Sequence, residues 1–154
     1  MHEDTLKKKE HSEKTRKMAD SSFKKNDFQE AARLYELSIK NNSNNVKALN
    51  NFAALSEALG NNKKAEYLYK LACDLPETSA SDKLKFHQNL ASIQETNGKI
   101  NAALWTYQSA TKIDGFTKST IAFNYLDLLQ SIQPTSFDAA TFASLTSLFN
   151  TEEI

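Results

Sequence analysis

The sequence predicts an all-α fold: a right-handed solenoid of antiparallel helix pairs, about seven to eight helices long. Three observations predict it. Four columns of residues recur at steps of 34 and then 38: Ala31, Ala65 and Ala103; Tyr35, Tyr69 and Tyr107; Ala19, Ala53 and Ala91; Ser38, Ala72 and Ala110. Within each period, two apolar stretches at i, i+3, i+4, i+7 flank a short turn, the pattern of two amphipathic helices. Gly and Pro are scarce, three and two in 154 residues, which leaves few breaks in a helical chain.

Each element follows from its residues. Residues 3–25 read as one long helix, whose first part, Glu3 to Lys14, is highly charged with almost no apolar face. That part is expected to fray or project into solvent. The middle period shows the unit most clearly. Val46 to Leu59 is a first helix, Gly60 to Lys64 a turn, and Ala65 to Ala72 belongs to a second helix. Gly60 can supply the positive φ that ends a helix, Gly98 stands at the same place one step later, and Asn26, the next most tolerant residue, one step earlier. Small residues at 53 and 65 fit where two antiparallel helices cross most closely, and the tyrosine column fills space between repeats. The run Asn41-Asn42-Ser43-Asn44-Asn45 reads as an inter-repeat loop. Farther on, Lys118 to Gln133 is apolar on nearly every side, as in a helix buried on more than one face. Pro134 stops it, and Ser136 can cap a last helix carrying Phe137, Phe142, Leu145, Leu148 and Phe149.

These columns resemble the tetratricopeptide repeat (TPR), a helix–turn–helix of 34 residues. Asp27-Phe28-Gln29-Glu30-Ala31-Ala32-Arg33-Leu34-Tyr35 is similar to its turn and second helix. The resemblance implies repeats at 12–45, 46–79 and 84–117, with about four extra residues, Thr78 to Ser81, between the last two. Residues 1–11 become a charged extension, and 118–154 a degenerate fourth repeat or capping helices. The chain departs from the family where a first-helix tryptophan is usual (Thr15, Leu49, His87) and where a first-helix tyrosine is usual (Ser22, Ser56, Gln94). By the family's geometry Trp105 lies on the outer side of a second helix, where it is expected to pack against the neighbouring repeat, with an anchor for a partner as the alternative.

Composition bounds the function. Net charge is zero, which argues against nucleic acid as a partner. The charge is polarised: residues 1–25 hold eight basic and five acidic side chains, and residues 121–154 hold four acidic ones and no Lys or Arg. A single cysteine, Cys73, allows no disulfide within the chain and reads as a small buried hydrophobe. No stretch approaches the about 18 apolar residues of a membrane span, and the charged amino terminus is not a signal peptide, so a cytoplasmic protein is expected. His2, His11 and His87 have no metal-ligand companion at helical spacing, and no phosphate loop or nucleophile elbow is present. Neither enzyme nor cofactor is expected.

In an array of helical hairpins the first helices line a concave surface. Helical spacing turns Arg16, Lys47, Asn50, Asn51, Lys85, Gln88 and Asn89 toward it, with Glu13 near the start and Asp20, Glu57 and Glu95 toward the other rim. Amides can hold a peptide backbone, and Lys and Arg can hold a carboxylate. Some TPR proteins use such residues as a clamp for the acidic carboxyl-terminal tails of Hsp70 and Hsp90. Arg16, Asn51 and Lys85 match that pattern, whereas Asp20 and Asn89 depart from it. The resemblance therefore implies an interaction module for a partner peptide, with a co-chaperone or protein-targeting adaptor as its sharper form. The alternatives are a structural subunit that self-associates through 118–154, and a bacterial type III secretion chaperone. The charged amino-terminal segment lacks the apolar face such a chaperone would need to dimerise.

Overall fold

The computed structural model describes residues 1–76 and 78–132. Seven α-helices and one 3-10 turn, and no strand, occur among them. The helices are α1 His2–Lys24, α2 Phe28–Asn41, α3 Val46–Ala58, α4 Asn62–Asp74, α5 Ala80–Thr96, α6 Ile100–Ala110 and α7 Thr120–Ile132, with the 3-10 turn at Phe116–Lys118 before α7. Three hairpins, α1/α2, α3/α4 and α5/α6, stack in order, and α7 packs on α5 and α6. This is an all-α solenoid of helix pairs. The last helix read from 136 onward lies outside the described residues.

The turn chemistry repeats with the period. Asn26, Gly60 and Gly98 hold φ of 61°, 77° and 74°. After each, an amide reaches back to the last turn: Asp27 N–H to Ser22 O at 2.9 Å, Asn61 N–H to Ser56 O at 2.8 Å and Lys99 N–H to Gln94 O at 2.8 Å. This left-handed cap satisfies carbonyls the helix would otherwise orphan. Two of these residues then cap the next helix, Asp27 on the Glu30 amide at 3.3 Å and Asn61 on the Lys64 amide at 3.2 Å. Asn45 and Ser79 cap α3 and α5 in the same way. The extra residues between the second and third repeats divide their roles: Thr78 and Ser79 lengthen the connection, and Ala80 and Ser81 begin α5.

All nine residues of the three small columns are at most 1% exposed. They let the paired helices approach closely, and enlarging one would force strain of about 1–3 kcal/mol into a packed crossing. At the α1/α2 crossing the contact is polar and reciprocal. Ser12 Oγ donates to Ser38 O and Ser38 Oγ to Ser12 O, both at 2.7 Å, and Asn45 donates to Ser12 Oγ at 2.9 Å. The tyrosine column spans neighbouring repeats: Tyr35 stacks on Phe52 with centroids 5.8 Å apart, and Tyr107 on Tyr125 at 5.3 Å. Two apolar cores result. One gathers α1 to α4 with Phe86, Leu90 and Ile93 of α5. The other gathers Leu84 and Ala91 of α5 with α6, Phe116 and α7.

The amino-terminal part of α1 is helical from His2 onward. Every residue up to His11 is exposed, and Ser12 is the first buried one. Its charges pair along the helix, Lys7 with Glu3 and Lys8 with Asp4, at i,i+4.

Candidate functional site

The first helices of the hairpins and α7 present one face with the same helical register: Glu13, Arg16 and Asp20 on α1; Lys47, Asn50, Asn51 and Glu57 on α3; Lys85, Gln88, Asn89 and Glu95 on α5; Asn124 and Asp127 on α7. The structure divides these residues into two groups. Lys47 and Lys85 are exposed and Gln88 is half-buried. Among the described residues neither lysine has an ion-pair partner.

The others are tied together. Arg16 is buried and its guanidinium is shared between two carboxylates, donating to Glu13 through Nε at 3.0 Å and to Asp20 through Nη1. Asp20 also accepts from the Tyr35 hydroxyl at 2.5 Å and from Asn51 Nδ2 at 2.9 Å. Asn50, also buried, accepts from Asn89 Nδ2 at 3.0 Å and donates to Asn51 Oδ1 at 3.5 Å. A line of hydrogen bonds thus runs across the groove floor from α1 to α5. Hydrogen bonding to Arg16 holds the Glu13 carboxyl below its usual value, against the opposing effect of burial, and the Glu13 hydrogen bond raises Arg16. The guanidinium is permanently charged and already neutralised.

Toward the carboxyl ends of the first helices the face is acidic. Tyr69 donates its hydroxyl to Glu57 at 3.1 Å, and Tyr107 to Glu95 at 2.6 Å. Tyr35, Tyr69 and Tyr107 have their ionisation pushed up, first by burial and then by these carboxylates, so they stay neutral donors. Between α5 and α7 the face opens into a cavity of about 400 Å³, lined by Ser92, Glu95, Tyr107, Asn124, Asp127, Leu128 and Ser131. The acidic rim carries one free carboxylate on each of three successive inner helices: Glu57, Glu95 and Asp127 have no cationic partner among the described residues. Residues 133–154 contain no Lys, Arg or His.

On the opposite, convex side, Trp105 stands on the outer side of α6 as expected, but it is 71% exposed rather than packed down, at the edge of a cavity of about 250 Å³ that it shares with Lys70, Cys73 and Asp74 of the preceding repeat. The reason is its column: Tyr67 and Arg33, the residues one and two steps earlier, are also exposed. Cys73 lines the same cavity, its thiol pushed up to about 12 by burial and then by the charge of Asp74. A thiol held that high is inert at neutral pH.

Among the described residues no group of three or more His, Cys, Asp or Glu is arranged to hold a metal ion. No helix among them is long and apolar enough to cross a membrane.

Comparison with known proteins follows the same lines. No curated protein matches the chain. Among solved structures it resembles the N-terminal domain of stress-induced protein-1 (STI-1) from C. elegans, with a TM-score of 0.69 and 12% identity over 79% of this chain and 96% of that one. The Arabidopsis OM64 TPR domain superposes with a TM-score of 0.67 and 18% identity, over 82% of this chain and 99% of the other. YrrB, described as a TPR protein with an unusual peptide-binding site, gives 0.64 and 14% over 86% of this chain and 66% of its own. At these identities the likeness is one of fold, and it is a TPR fold in each case. Residues 12–123 match the family described as the TT21 fifth ARM repeats domain. From the 34-residue period, the repeated turn and this match together, the chain belongs to the TT21 fifth ARM repeats domain family, as an array of tetratricopeptide-type helix pairs.

Proposed function

We propose that this chain is a non-enzymatic protein–protein interaction module, and that its concave groove holds an extended segment of a partner. One observation carries the reading. The ion pairs that join neighbouring hairpins, Lys64 with Glu36 and Lys99 with Glu66, involve no groove residue. The groove itself exposes Lys47, Lys85 and Glu57 with no ion-pair partner among the described residues, and an open polar cavity lies farther along it between α5 and α7. Charges left unpaired along a concave strip are available to a ligand.

The test is to select peptides against the protein by display and map the best binder by amide chemical-shift changes. Shifts confined to α3, α5 and α7, with Lys85→Glu lowering affinity on the order of tenfold and leaving the helical signal intact, are the expected result. Shifts confined to the convex side or to the amino-terminal extension would refute it.

The sharper form, a co-chaperone or targeting adaptor taking an acidic carboxyl-terminal tail, draws support from exposed Lys85. It lacks a free Arg16, which Glu13 and Asp20 already neutralise, and a free Asn51, which Asp20 accepts from. A structural subunit assembling through residues 118–154 is the second reading. It is favoured by Phe123 on α7, which is 62% exposed, and residues 133–154 lie outside the described residues. Either role is consistent with a cytoplasmic protein.

A further inference from the structure

We propose that the partner segment is basic, a Lys- or Arg-bearing stretch in polyproline conformation, and that Glu57, Glu95 and Asp127 read its charges. The proposal rests on the groove reading above and names the chemistry of its ligand.

Two observations, beyond the three free carboxylates, support it. The first is where the charges sit on their helices. Glu57 is the penultimate residue of α3 and Glu95 the penultimate residue of α5, while Lys47 is the second residue of α3. A helix prefers anions at its amino end and cations at its carboxyl end. These charges are reversed, so helix stability does not account for them. Nor do the tyrosines require a full charge, since a neutral amide oxygen can also accept the Tyr69 and Tyr107 hydroxyls, though more weakly than a carboxylate. What a carboxylate adds at these positions is net negative charge facing the groove, which complements a cation.

The second is spacing. Packed helices lie about 8–10 Å apart, so the neighbouring inner helices α3, α5 and α7, which carry these carboxylates, recur at about that interval. A polyproline segment repeats every three residues and advances about 9 Å in doing so, which places every third side chain on one side. The two intervals match. The cavity between Glu95 and Asp127 gives one such side chain a recess with an apolar wall at Leu128 for its methylenes.

Arg16 and the two lysines set the limits of the acidic strip. Arg16 is shared between Glu13 and Asp20, so the first repeat keeps one net negative charge there, held by internal hydrogen bonds from Arg16, Tyr35 and Asn51. Lys47 and Lys85 stand at the opposite rim, repel a basic segment from that side and fix it against the carboxylates.

The test uses three labelled peptides of repeated Lys-Pro-Ala, Glu-Pro-Ala and Ser-Pro-Ala triplets, read by fluorescence anisotropy with the full chain. The lysine peptide is expected to bind, to weaken as salt rises, and to lose on the order of tenfold in affinity to a Glu57→Gln, Glu95→Gln, Asp127→Asn variant. That variant keeps acceptors for Tyr69 and Tyr107, so it is expected to retain its helical signal and a cooperative melt, which separates lost charge from lost fold. Equal binding of all three peptides, preference for the glutamate peptide, or full lysine-peptide affinity in the neutral variant would overturn the basic assignment and leave the groove reading standing. If none of the three binds, and display-selected peptides shift no groove residue either, both fall together.

Discussion

Replacing Asp20 by Ala tests how the first repeat is held. Asp20 accepts three hydrogen bonds: from the fully buried Tyr35 hydroxyl at 2.5 Å, from Asn51 of the next repeat at 2.9 Å, and from Arg16. Truncation leaves a buried hydroxyl and an amide without their acceptor, at about 1–3 kcal/mol in all. Arg16 would keep Glu13, so its loss is partial. The Asp20 side chain is 25% exposed, so water repays some of the charge term. The sum is about 3 kcal/mol, a large part of the about 5–15 kcal/mol that holds a domain of this kind. Equilibrium urea unfolding followed by circular dichroism reads this as a midpoint lower by about 1–3 M, since the slope is about 1–3 kcal/mol per molar. Tyr35→Phe removes only the donor and should cost about 1 kcal/mol. The double variant should be destabilised by less than the sum of the two, because the pair shares one bond. A loss below about 0.5 kcal/mol for Asp20→Ala, or strict additivity with Tyr35→Phe, would refute the account.

Other outcomes follow from backbone, exposure and charge. Gly98→Ala should cost about 1 kcal/mol in thermal or urea unfolding, all of it from the left-handed backbone, because nothing lies within 4 Å of an added Cβ; Asn26→Gly at the equivalent turn should be neutral or stabilising. Trp105 is the sole tryptophan, so native fluorescence should already be red-shifted and readily quenched by iodide, with little further shift on unfolding; a blue, protected emission would place it in an interface. Stability should fall on acidification. Arg16 holds the Glu13 carboxyl low, and at Glu66 hydrogen bonds from Lys99 and Asn97 outweigh the upward push of burial. A depressed folded value contributes stability above the unfolded value of 4.5, and that contribution is lost as pH drops through and below it. Glu66→Gln should therefore flatten the acid limb of a pH–stability curve.

The fold was legible because its constraints are local and periodic. A small residue at Ala53 or Ala103, a glycine at 60 or 98 and a tyrosine at 69 or 107 each answer a need that recurs at one interval, and the same need is met in the same way each time. The groove was legible as a set of positions but not as a set of free groups. Arg16 projects from the right place, yet Glu13 at i−3 and Asp20 at i+4 bracket it on its own helix, a spacing that foretells capture. Asn50 and Asn89 belong to different repeats, and no periodicity announces that 39 positions apart they meet. For Trp105 the outer side was legible, but the extent of its exposure was not. Arg33 in the same column was the signal that this position faces water.

The sharing of α5 between two cores has a mechanical meaning. Phe86, Leu90 and Ile93 belong to one side and Leu84 and Ala91 to the other. A torque applied along the array is borne there by α5, braced by the Lys99 and Asn97 contacts to Glu66, since each repeat touches only its neighbours. Rotating α5 about its own axis would turn one apolar cluster relative to the other. An occupant spanning α3, α5 and α7 would act as a splint across that helix, converting local contact into a change in the distance between the two ends of the solenoid.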